Sequence, residues 1–217
     1  MKFTHRRDVH FLYSEFFAHD MDMYRFRKYR PGHFNHIVDI GANVGMFALL
    51  ARFIQPTATI DAYDPDKRAF KALTINAENL HINCYHVGVG NGNPIFRKAG
   101  HSSIGHSYLE TSDDVNPAQS ESMRLIDMLP SDRSGCYVKM DCEGGENAIF
   151  GDPESCQALG ECLAIGMETH GSHGMTLDEA SKRWCTMLQK THHVKRISKS
   201  RKGRIFIANR KGGRDEI

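Results

Sequence analysis

A glycine-containing loop near residue 40 has the composition of a cofactor-binding turn. It spans 39–45 (DIGANVG), directly after an apolar run and directly before a helical pattern. Gly41 allows the backbone to approach a ligand closely, Asn43 tolerates a positive φ, and Gly45 lets the helix pack near the strand. The loop lacks the G-x-G-x-x-G spacing, and the carboxylate of Asp39 would repel a phosphate. These features favour a cofactor that presents an amino-acid ammonium group instead of a pyrophosphate.

A second carboxylate follows the next apolar run at a spacing that fits a ribose. Asp64 precedes Pro65 and lies 23 residues after Gly41. Nucleotide-binding α/β folds place an acid there to accept hydrogen bonds from ribose hydroxyls. An Asp-Pro pair alone is common in turns, but its spacing from the glycine loop favours the ribose-binding interpretation.

A third group of polar residues interrupts and follows an apolar run at 138–146 (VKMDCEGGE). Lys139 lies inside the predicted strand, on the same face as Asp141. A buried lysine needs a partner, and Asp39 on the neighbouring strand is a candidate. The sequence leaves open whether Lys139 serves a structural ion pair or acts in the site.

Short β-branched runs alternate with helical-period segments, which predicts an α/β fold with a parallel sheet. A helical lead-in over 1–30 ends at Pro31-Gly32, and 90–122 is a long polar segment of the kind that is usually functional. Predicted strands cover 36–40, 58–63, 84–89, 136–141 and 163–168, predicted helices cover 45–54, 67–79, 144–150 and 177–190, and 193–198 with 204–209 form a closing antiparallel hairpin.

Composition excludes several protein classes. The 217 residues are 40% hydrophobic and 25% charged, as in ordinary globular proteins, and the longest apolar stretch, 46–54, is too short to cross a membrane. No apolar signal-peptide segment is visible, and the six cysteines contain no C-x-x-C pair. We therefore expect a cytoplasmic protein with reduced thiols and no membrane partner. No feature of the sequence fixes the oligomeric state.

Charge is distributed unevenly along the chain. Residues 1–30 carry a net +3, residues 31–194 carry −8 and residues 195–217 carry +7. Such basic ends either solubilise the protein or attract an anionic partner such as a nucleic acid. The basic residues of the predicted hairpin are Lys195, Arg196, Lys199, Arg201, Lys202 and Arg204.

Together these motifs resemble the FkbM family of class I S-adenosylmethionine-dependent methyltransferases, over about 24–151. Two departures from the family's usual pattern are Asp-Pro where Glu-Pro is frequent and Cys142 where an aliphatic residue is frequent. The resemblance is carried by 38–49 (VDIGANVGMFAL), by 64–65 (DP) with Asn76, and by 138–151 (VKMDCEGGENAIFG).

The resemblance implies a Rossmann-like fold with a seven-stranded, mostly parallel sheet in the order 3-2-1-4-5-7-6 and helices on both faces. One methyltransferase domain would then span 1–217, with 98–122 as a substrate loop and 193–209 as the closing hairpin. Asp64 would hold the ribose of S-adenosylmethionine. The remaining cofactor contacts would be Asp39, Gly41, Asn43 and Gly45 at the methionine end, Gly88 and Val89 at the adenine, and Asp141.

Methyl transfer from a sulfonium to an oxygen is an in-line displacement that needs a proton acceptor. Asp141, Glu143, Glu168 and His170 are the candidates, with Lys139 as an electrostatic aid. Some class I O-methyltransferases bind a divalent metal with acids at these places, which here would make Asp141, Glu168 and His170 the ligands. Metal-free acid–base chemistry is the expectation.

Three functions are compatible with these residues. The leading one is O-methylation of a small-molecule or glycan hydroxyl. The second is 2′-O-methylation of an RNA ribose, motivated by the basic hairpin, whose cations would make binding salt-dependent. The third is a non-catalytic binding protein with a methyltransferase fold, which the retained acids disfavour.

Overall fold

The computed structural model describes residues 22–93, 95–97, 108–109, 118–171, 175–199 and 204–212. Within them, strands and helices alternate as an α/β fold requires. The strands are β1 His36–Ile40, β2 Thr59–Tyr63, β3 Ile82–Tyr85, β4 Gly88–Val89, β5 Ile95–Arg97, β6 Tyr108–Leu109, β7 Ala118–Ser120, β8 Ser122–Met123, β9 Cys136–Met140, β10 Ala164–Thr169, β11 His192–Lys199 and β12 Arg204–Arg210. The helices are α1 Met46–Ile54, α2 Lys67–Asn76, α3 Leu125–Met128, α4 Glu146–Gly151, α5 Pro153–Glu161 and α6 Leu177–Leu188.

Seven of these strands form one sheet in the order β3-β2-β1-β9-β10-β12-β11. When these seven strands are numbered in chain order, the sheet order is 3-2-1-4-5-7-6, which confirms the expected topology. Pairing is parallel from β3 through β10, and β12 runs antiparallel to both of its neighbours. The carboxyl ends of β1, β2, β9 and β10 therefore share one edge of the sheet, where ligands bind in open α/β folds.

The sheet separates two apolar cores. On one side, α1 and α2 pack with Ile37 and Tyr137, and on the other side α3 to α6 pack with Val38 and Val138. Adjacent residues of one strand face opposite cores because side chains alternate along a strand. Because helices cover both faces of the sheet, the central strands are buried along almost their whole length.

Most predicted elements are confirmed with small shifts at their ends, while one helix was missed. The sequence interpretation left 153–161 unassigned, whereas Pro153–Glu161 is helical, with Asp152 as its N-cap and proline in its first turn. The predicted helix 177–190 begins as expected with the Thr176–Glu179 capping box, and it ends at Leu188. The Asp152-Pro153 pair at the start of this helix is a sequence pattern typical of a helix N-terminus.

The prediction of one strand over 84–89 is wrong. Ile82–Tyr85 joins the main sheet beside β2, whereas Gly88–Val89 pairs in parallel with Ser122–Met123 in a separate two-stranded ladder. The Gly88 amide donates to the Glu121 carbonyl, which ties this short strand to the segment after the polar excursion. The continuous β-type pattern at 84–89 is thus split in two, because its two ends pair with strands from different parts of the chain. Such effects of tertiary context on strand formation are common.

The helical lead-in is not confirmed where it can be checked. Residues 1–21 lie outside the described part of the chain, and 22–30 contain only a 3-10 turn at Phe26–Lys28. Aromatic packing holds this turn, because the ring of Phe26 lies 4.8 Å from that of Tyr137 and 5.1 Å from that of Phe47. Within the described residues 22–30, aromatic contacts with the sheet therefore hold the chain, and the only helical turn is the one at Phe26–Lys28.

The closing hairpin forms as predicted, but it does not present all of its cations to solvent. Arg204 is buried and its guanidinium lies 2.9 Å from Asp178, while Arg210 donates to the Glu161 carbonyl. Lys195 and Arg196 are exposed. Residues 200–203, with Arg201 and Lys202, lie outside the described part, as do 98–107 and 110–117 of the predicted substrate loop.

All six cysteines are free thiols. Across the described residues, no helix combines the length and the apolar character that crossing a bilayer demands.

The buried His192 predicts a loss of stability in acid. Its Nε2 lies 3.0 Å from the Cys162 carbonyl oxygen, and burial lowers the pKa of His192 to about 4 from an ordinary 6.5. Between these values the unfolded chain binds more protons than the folded chain, so the free energy of unfolding falls as pH falls from 6.5 to 4. This group accounts for up to about 3 kcal/mol of that fall.

Urea unfolding across this pH range measures the effect. His192→Gln is expected to flatten the pH dependence, because a neutral amide takes up no proton. The matched variant His193→Gln changes an exposed neighbour in the same strand and is expected to retain the wild-type slope. Equal slopes for wild type and His192→Gln would show that this prediction is wrong.

Candidate functional site

The predicted cofactor loop crosses directly over the loop that follows β9. Gly41 has a φ of +73°, and a Cβ atom on it would overlap the carbonyl oxygen of Asp141. The amides of Gly41 and Ala42 donate to the Tyr63 carbonyl, which ties the loop to the end of β2. Any side chain here would force the two loops apart, so this position requires glycine.

A buried ion pair joins the same two strands beneath the loop. The Lys139 Nζ lies 3.1 Å from the Asp39 Oδ1, and both side chains are buried. Nζ also donates to the carbonyl oxygens of Gly41 at 2.7 Å and Ile40 at 3.3 Å. Burial disfavours the charged lysine, but Asp39 outweighs it and raises the Lys139 pKa. The partner predicted for Lys139 is confirmed, and the lysine supports the loop from below.

Asp64 lies next to the loop, at the end of β2. Its carboxylate accepts the Asn43 amide at 2.7 Å and the Asp66 amide at 2.8 Å. A carboxylate has about four acceptor positions, so two remain for a ligand. Burial raises the pKa of Asp64 to about 7, although the two backbone amides oppose that shift. The structure therefore brings together Asp64 and Asn43, as the spacing predicted.

Helix α2 holds the far end of the loop. The Asn76 side-chain amide donates to the Val44 carbonyl at 2.9 Å, and the space beside Gly45 is filled by Leu73. Gly45 is the N-cap of α1 with a φ of +89°. The side chain of Asn76, the downstream residue of the sequence motif, thus holds the loop by donating to a backbone carbonyl of the loop.

Gly88 and Val89 lie at the same edge of the sheet, in the short ladder described above. A Cβ on Gly88 would lie 3.1 Å from the Pro65 side chain, so Gly88 sits against the turn that follows Asp64. Val89 packs against Gly145, where an added Cβ would lie 2.7 Å from its Cγ1. These contacts put both residues within the strand-end region, and their contact with an adenine stays a prediction.

Acidic residues gather around His170 at the ends of β9 and β10. The Nε2 of His170 lies 3.5 Å from the Glu143 Oε2, 3.9 Å from the Asp141 Oδ1 and 4.0 Å from the Glu168 Oε1. Asp141 and Glu168 each offer a carboxylate oxygen and His170 a ring nitrogen, and these three atoms lie within 4.8 Å of one another. We call Asp141, Glu143, Glu168 and His170 the acidic cluster. All four predicted catalytic residues meet there, while Lys139 faces Asp39.

The sequence analysis did not identify two residues of the site, Glu146 and Tyr24. Glu146 is fully buried, and its Oε1 lies 3.0 Å from the Nδ1 of His170. The hydroxyl of Tyr24 donates to the Asp141 Oδ2 at 3.4 Å. Glu146 lay within the sequence motif as a third acid, but its contact with His170 spans 24 residues and has no local signal.

The electrostatics of the acidic cluster follow from burial and like charge. Burial, reinforced by the negative charge of Asp141, raises the pKa of Glu168 to about 7. Burial disfavours a charged His170, but the carboxylates around it, led by Glu146, outweigh burial and raise its pKa to about 10. The cluster therefore holds negative charge at short range and favours a positive group at its centre.

A cavity of about 480 Å³ adjoins the site. It lies between the end of β4, at Val89 and the following Gly90, and the turn at 144–145. Arg183 and Trp184 of α6 form another part of its wall, with the guanidinium carbon 5.0 Å from the centre of the indole ring. The cavity offers room for a small organic group beside the strand ends.

Comparison with known proteins supports the motif-based interpretation. The chain is 37% identical over 70 residues to the 31-O-demethyl-FK506 methyltransferase FkbM of Streptomyces tacrolimicus, a match that covers 32% of this chain and 26% of that protein. The resemblance to the FkbM methyltransferases is confirmed. The match thus spans about a quarter of the curated FkbM protein. No protein-family model matches the chain.

Solved structures share the fold at low sequence identity. A crystal structure of methyltransferase FkbM from Methylobacillus flagellatus superposes with a TM-score of 0.57 at 13% identity, over 91% of this chain and 47% of that one. A precorrin-6y C5,15-methyltransferase from Geobacter metallireducens gives 0.51 at 13% identity, over 88% and 86%. A putative rRNA methylase from Clostridium thermocellum gives 0.50 at 10% identity, over 87% and 93%. These likenesses establish the class I methyltransferase fold.

The loop crossing predicts an unequal response of two glycines to the same substitution. Gly41 and Gly92 both have positive φ, but no atom of the described residues lies within 4 Å of a Cβ placed on Gly92, whereas Gly41 contacts the Asp141 backbone. Gly92→Ala is expected to cost about 1–2 kcal/mol of backbone strain. Gly41→Ala is expected to cost about 1–3 kcal/mol more, because two backbones must separate. Urea unfolding measures both values, and equal losses would contradict the crossing.

Proposed function

We propose that this protein is an S-adenosylmethionine-dependent methyltransferase that transfers the methyl group to a hydroxyl oxygen. One observation carries the proposal: the glycine loop, Asp64 and the acidic cluster converge on one edge of a sheet with methyltransferase topology. The 70-residue match to an FkbM methyltransferase supports the same activity. Fold alone would not support it, because one fold hosts many functions.

The cofactor roles follow from position. Asp64 would accept both ribose hydroxyls, since two backbone amides already orient its carboxylate. The loop from Asp39 to Gly45 would hold the methionine end, with Lys139 fixing the loop from beneath. Val89 and Gly88 would contact the adenine, and Asp141 would lie near the sulfonium. S-adenosylmethionine has no phosphate, which suits the absence of a phosphate-binding glycine pattern in the loop.

The chemistry requires the acceptor oxygen, the methyl carbon and the sulfur to lie in line. The acceptor would enter from the side of the acidic cluster, where the candidate proton acceptors lie. A carboxylate of Asp141, Glu143 or Glu168 would take the hydroxyl proton as the new bond forms, because His170, with its pKa raised to about 10, already carries a proton. The negative cluster would also stabilise the positive sulfonium before transfer.

The acceptor class is the finer part of the proposal. The partly enclosed cavity beside Arg183 and Trp184 supports a small molecule or one sugar unit of a glycan. An RNA ribose is less well supported, because Arg204 and Arg210 of the hairpin are engaged within the protein. RNA is therefore retained as an outcome of the acceptor screen and not as the proposal.

Calorimetric titration tests the cofactor. S-adenosylmethionine and S-adenosylhomocysteine are expected to bind, and NAD is not. Asp64→Asn removes the charge that strengthens two hydrogen bonds, so affinity is expected to fall about 10- to 100-fold. Asp66→Asn is the matched control, since asparagine retains its N-cap role for α2. Binding of NAD in place of S-adenosylmethionine would reject the proposal.

The raised pKa of Asp64 predicts the pH dependence of cofactor affinity. The ionised carboxylate is the better acceptor for ribose hydroxyls, and the pKa of Asp64 in the free protein is about 7. Affinity is therefore expected to weaken as pH falls from 7.5 to 5.5, and Asp64→Asn is expected to reduce that dependence to the part that Glu168, whose pKa is also about 7, contributes. Titrations at several pH values check the sign, and an affinity that strengthens in acid would contradict it.

Labelled methyl transfer onto small hydroxyl compounds, glycans and RNA identifies the acceptor. For the acceptor found, Asp141→Asn combined with Glu168→Gln is expected to slow turnover at least 100-fold, the usual contribution of a proton acceptor. Glu78→Gln alters an exposed carboxylate elsewhere and serves as control. Full turnover in the double variant, with unchanged cofactor affinity, would exclude Asp141 and Glu168 as the essential acid.

A further inference from the structure

Tyr24 reaches the acidic cluster from the segment of the chain that precedes β1. It is only 1% exposed, and its hydroxyl donates to the Asp141 Oδ2 at 3.4 Å, a contact that spans 117 residues. Its ring meets that of Phe47 edge-on, with 5.9 Å between the ring centres. The hydroxyl of a buried tyrosine usually finds a polar partner, and here one such partner belongs to the candidate site.

A capped turn fixes the backbone on both sides of Tyr24. The carboxylate of Asp22 accepts the Phe26 amide at 2.9 Å and the Arg27 amide at 2.7 Å. The ring of Phe26 is fully buried in the core that contains α1 and α2. The fold therefore determines where Tyr24 lies, since one flanking residue caps the turn and the other anchors it.

Gly166, in the middle of β10, makes room for Tyr24. A Cβ atom on Gly166 would lie 3.0 Å from the Cδ1 of Tyr24 and 2.2 Å from the hydroxyl oxygen of Tyr137. Glycine inside a strand weakens the strand and often marks a close approach by another part of the molecule. Gly166 and Glu168 lie on the same face of β10, because side chains alternate along a strand. Tyr24 thus packs on the face of the sheet to which Glu168 belongs.

The backbone of Asp141 is fixed, whereas its side chain has few contacts. Its amide donates to the Ile40 carbonyl at 3.1 Å, and its own carbonyl lies against Gly41. The side chain is 26% exposed, and its Oδ1 lies 3.9 Å from the Nε2 of His170, beyond hydrogen-bond reach. Across the described residues, Tyr24 is the side chain that donates a hydrogen bond to this carboxylate. The Tyr24 hydroxyl therefore limits how the carboxylate can turn.

We propose that Tyr24 is a positioning residue, which holds the Asp141 carboxylate beside the sulfonium of S-adenosylmethionine. This role rests on the function proposed above, in which Asp141 lies near the sulfur. The hydroxyl retains Oδ2 and leaves Oδ1 on the side of the acidic cluster. Because Coulomb attraction falls with distance, a carboxylate held in place attracts the positive sulfur more strongly than one that turns freely.

The expected consequence is a preference for the substrate form of the cofactor over its product. The sulfur of S-adenosylmethionine carries a positive charge, whereas that of S-adenosylhomocysteine is neutral, and the ribose and amino-acid ends of the two ligands are the same. The ratio of the two affinities therefore measures the electrostatic environment of the sulfur. A general disturbance of the site would lower both affinities together and leave the ratio unchanged.

Calorimetric titration of the full chain with each of the two ligands measures this ratio. Tyr24→Phe removes the hydroxyl and keeps the ring against Phe47 and Gly166. At 3.4 Å the lost hydrogen bond is a weak one, so the preference for S-adenosylmethionine is expected to fall about 3- to 10-fold. Tyr29→Phe is the matched control, because the hydroxyl it removes donates to Asn209 at 2.7 Å, beside the start of β10. This control is expected to keep the wild-type ratio.

A double variant shows whether Tyr24 acts through Asp141. Asp141→Asn is expected to lower the ratio by itself, because it removes the charge. Adding Tyr24→Phe to it is expected to change the ratio no further, since residues that act as a unit are not additive. A full second loss in the double variant would show an independent effect of Tyr24 and would overturn the positioning role.

The outcomes separate this role from the proposed function. Binding of both ligands to wild type, with a ratio that Tyr24→Phe leaves unchanged or raises, would overturn the role of Tyr24 alone. An equal fall of the ratio in Tyr29→Phe would also overturn it. Binding of neither ligand to folded wild type would reject the proposed function and this role with it. The unfolding midpoint of each variant establishes that it is folded.

Discussion

The close crossing of the loops after β1 and β9 is the constraint on which the site depends. Gly41 lies against the Asp141 carbonyl with no space for a side chain, and Lys139 joins the two strands through Asp39. This crossing fixes the glycine loop and the acidic cluster relative to each other. A displacement there would move the predicted cofactor site away from the predicted proton acceptors at once.

A buried ion pair is a costly means of joining two strands. Removing two charges from water can cost more than their attraction returns, so the Lys139–Asp39 pair contributes little net stability. Its effect is on arrangement, because Nζ also binds the carbonyl oxygens of Ile40 and Gly41. The lysine therefore determines where the loop backbone lies, which an apolar pair of similar volume would not do.

The negative charge of the chain's central region gains a structural explanation. Asp64 is buried in the strand-end region and Glu168 is partly buried there, and burial raises the pKa of each to about 7. Such shifts concentrate at functional sites, because charged groups are retained there against their desolvation cost. At the basic end of the chain, Arg204 and Arg210 instead support the hairpin internally. Part of that charge serves the fold and not an outside partner.

The sequence predicted the α/β fold, the glycine loop and the acids at the strand ends, because these depend on local patterns and fixed spacing, whereas the sheet order was implied by the resemblance to the FkbM methyltransferases. It placed Lys139 opposite Asp39 because parallel strands align residues in register. It could not predict that Gly88 leaves the main sheet, since its partner strand follows a 30-residue excursion. Nor could it find the contact of Glu146 with His170 or of Tyr24 with Asp141, which only the folded chain creates.

The strand-end cofactor site is tested most directly by a crystal structure of the complex with S-adenosylhomocysteine. Both ribose hydroxyls are expected within about 3 Å of the Asp64 carboxylate. The sulfur is expected above the ends of β1 and β9, on the side of Asp141. A ligand that binds elsewhere, or that leaves Asp64 without a ribose contact, would contradict it.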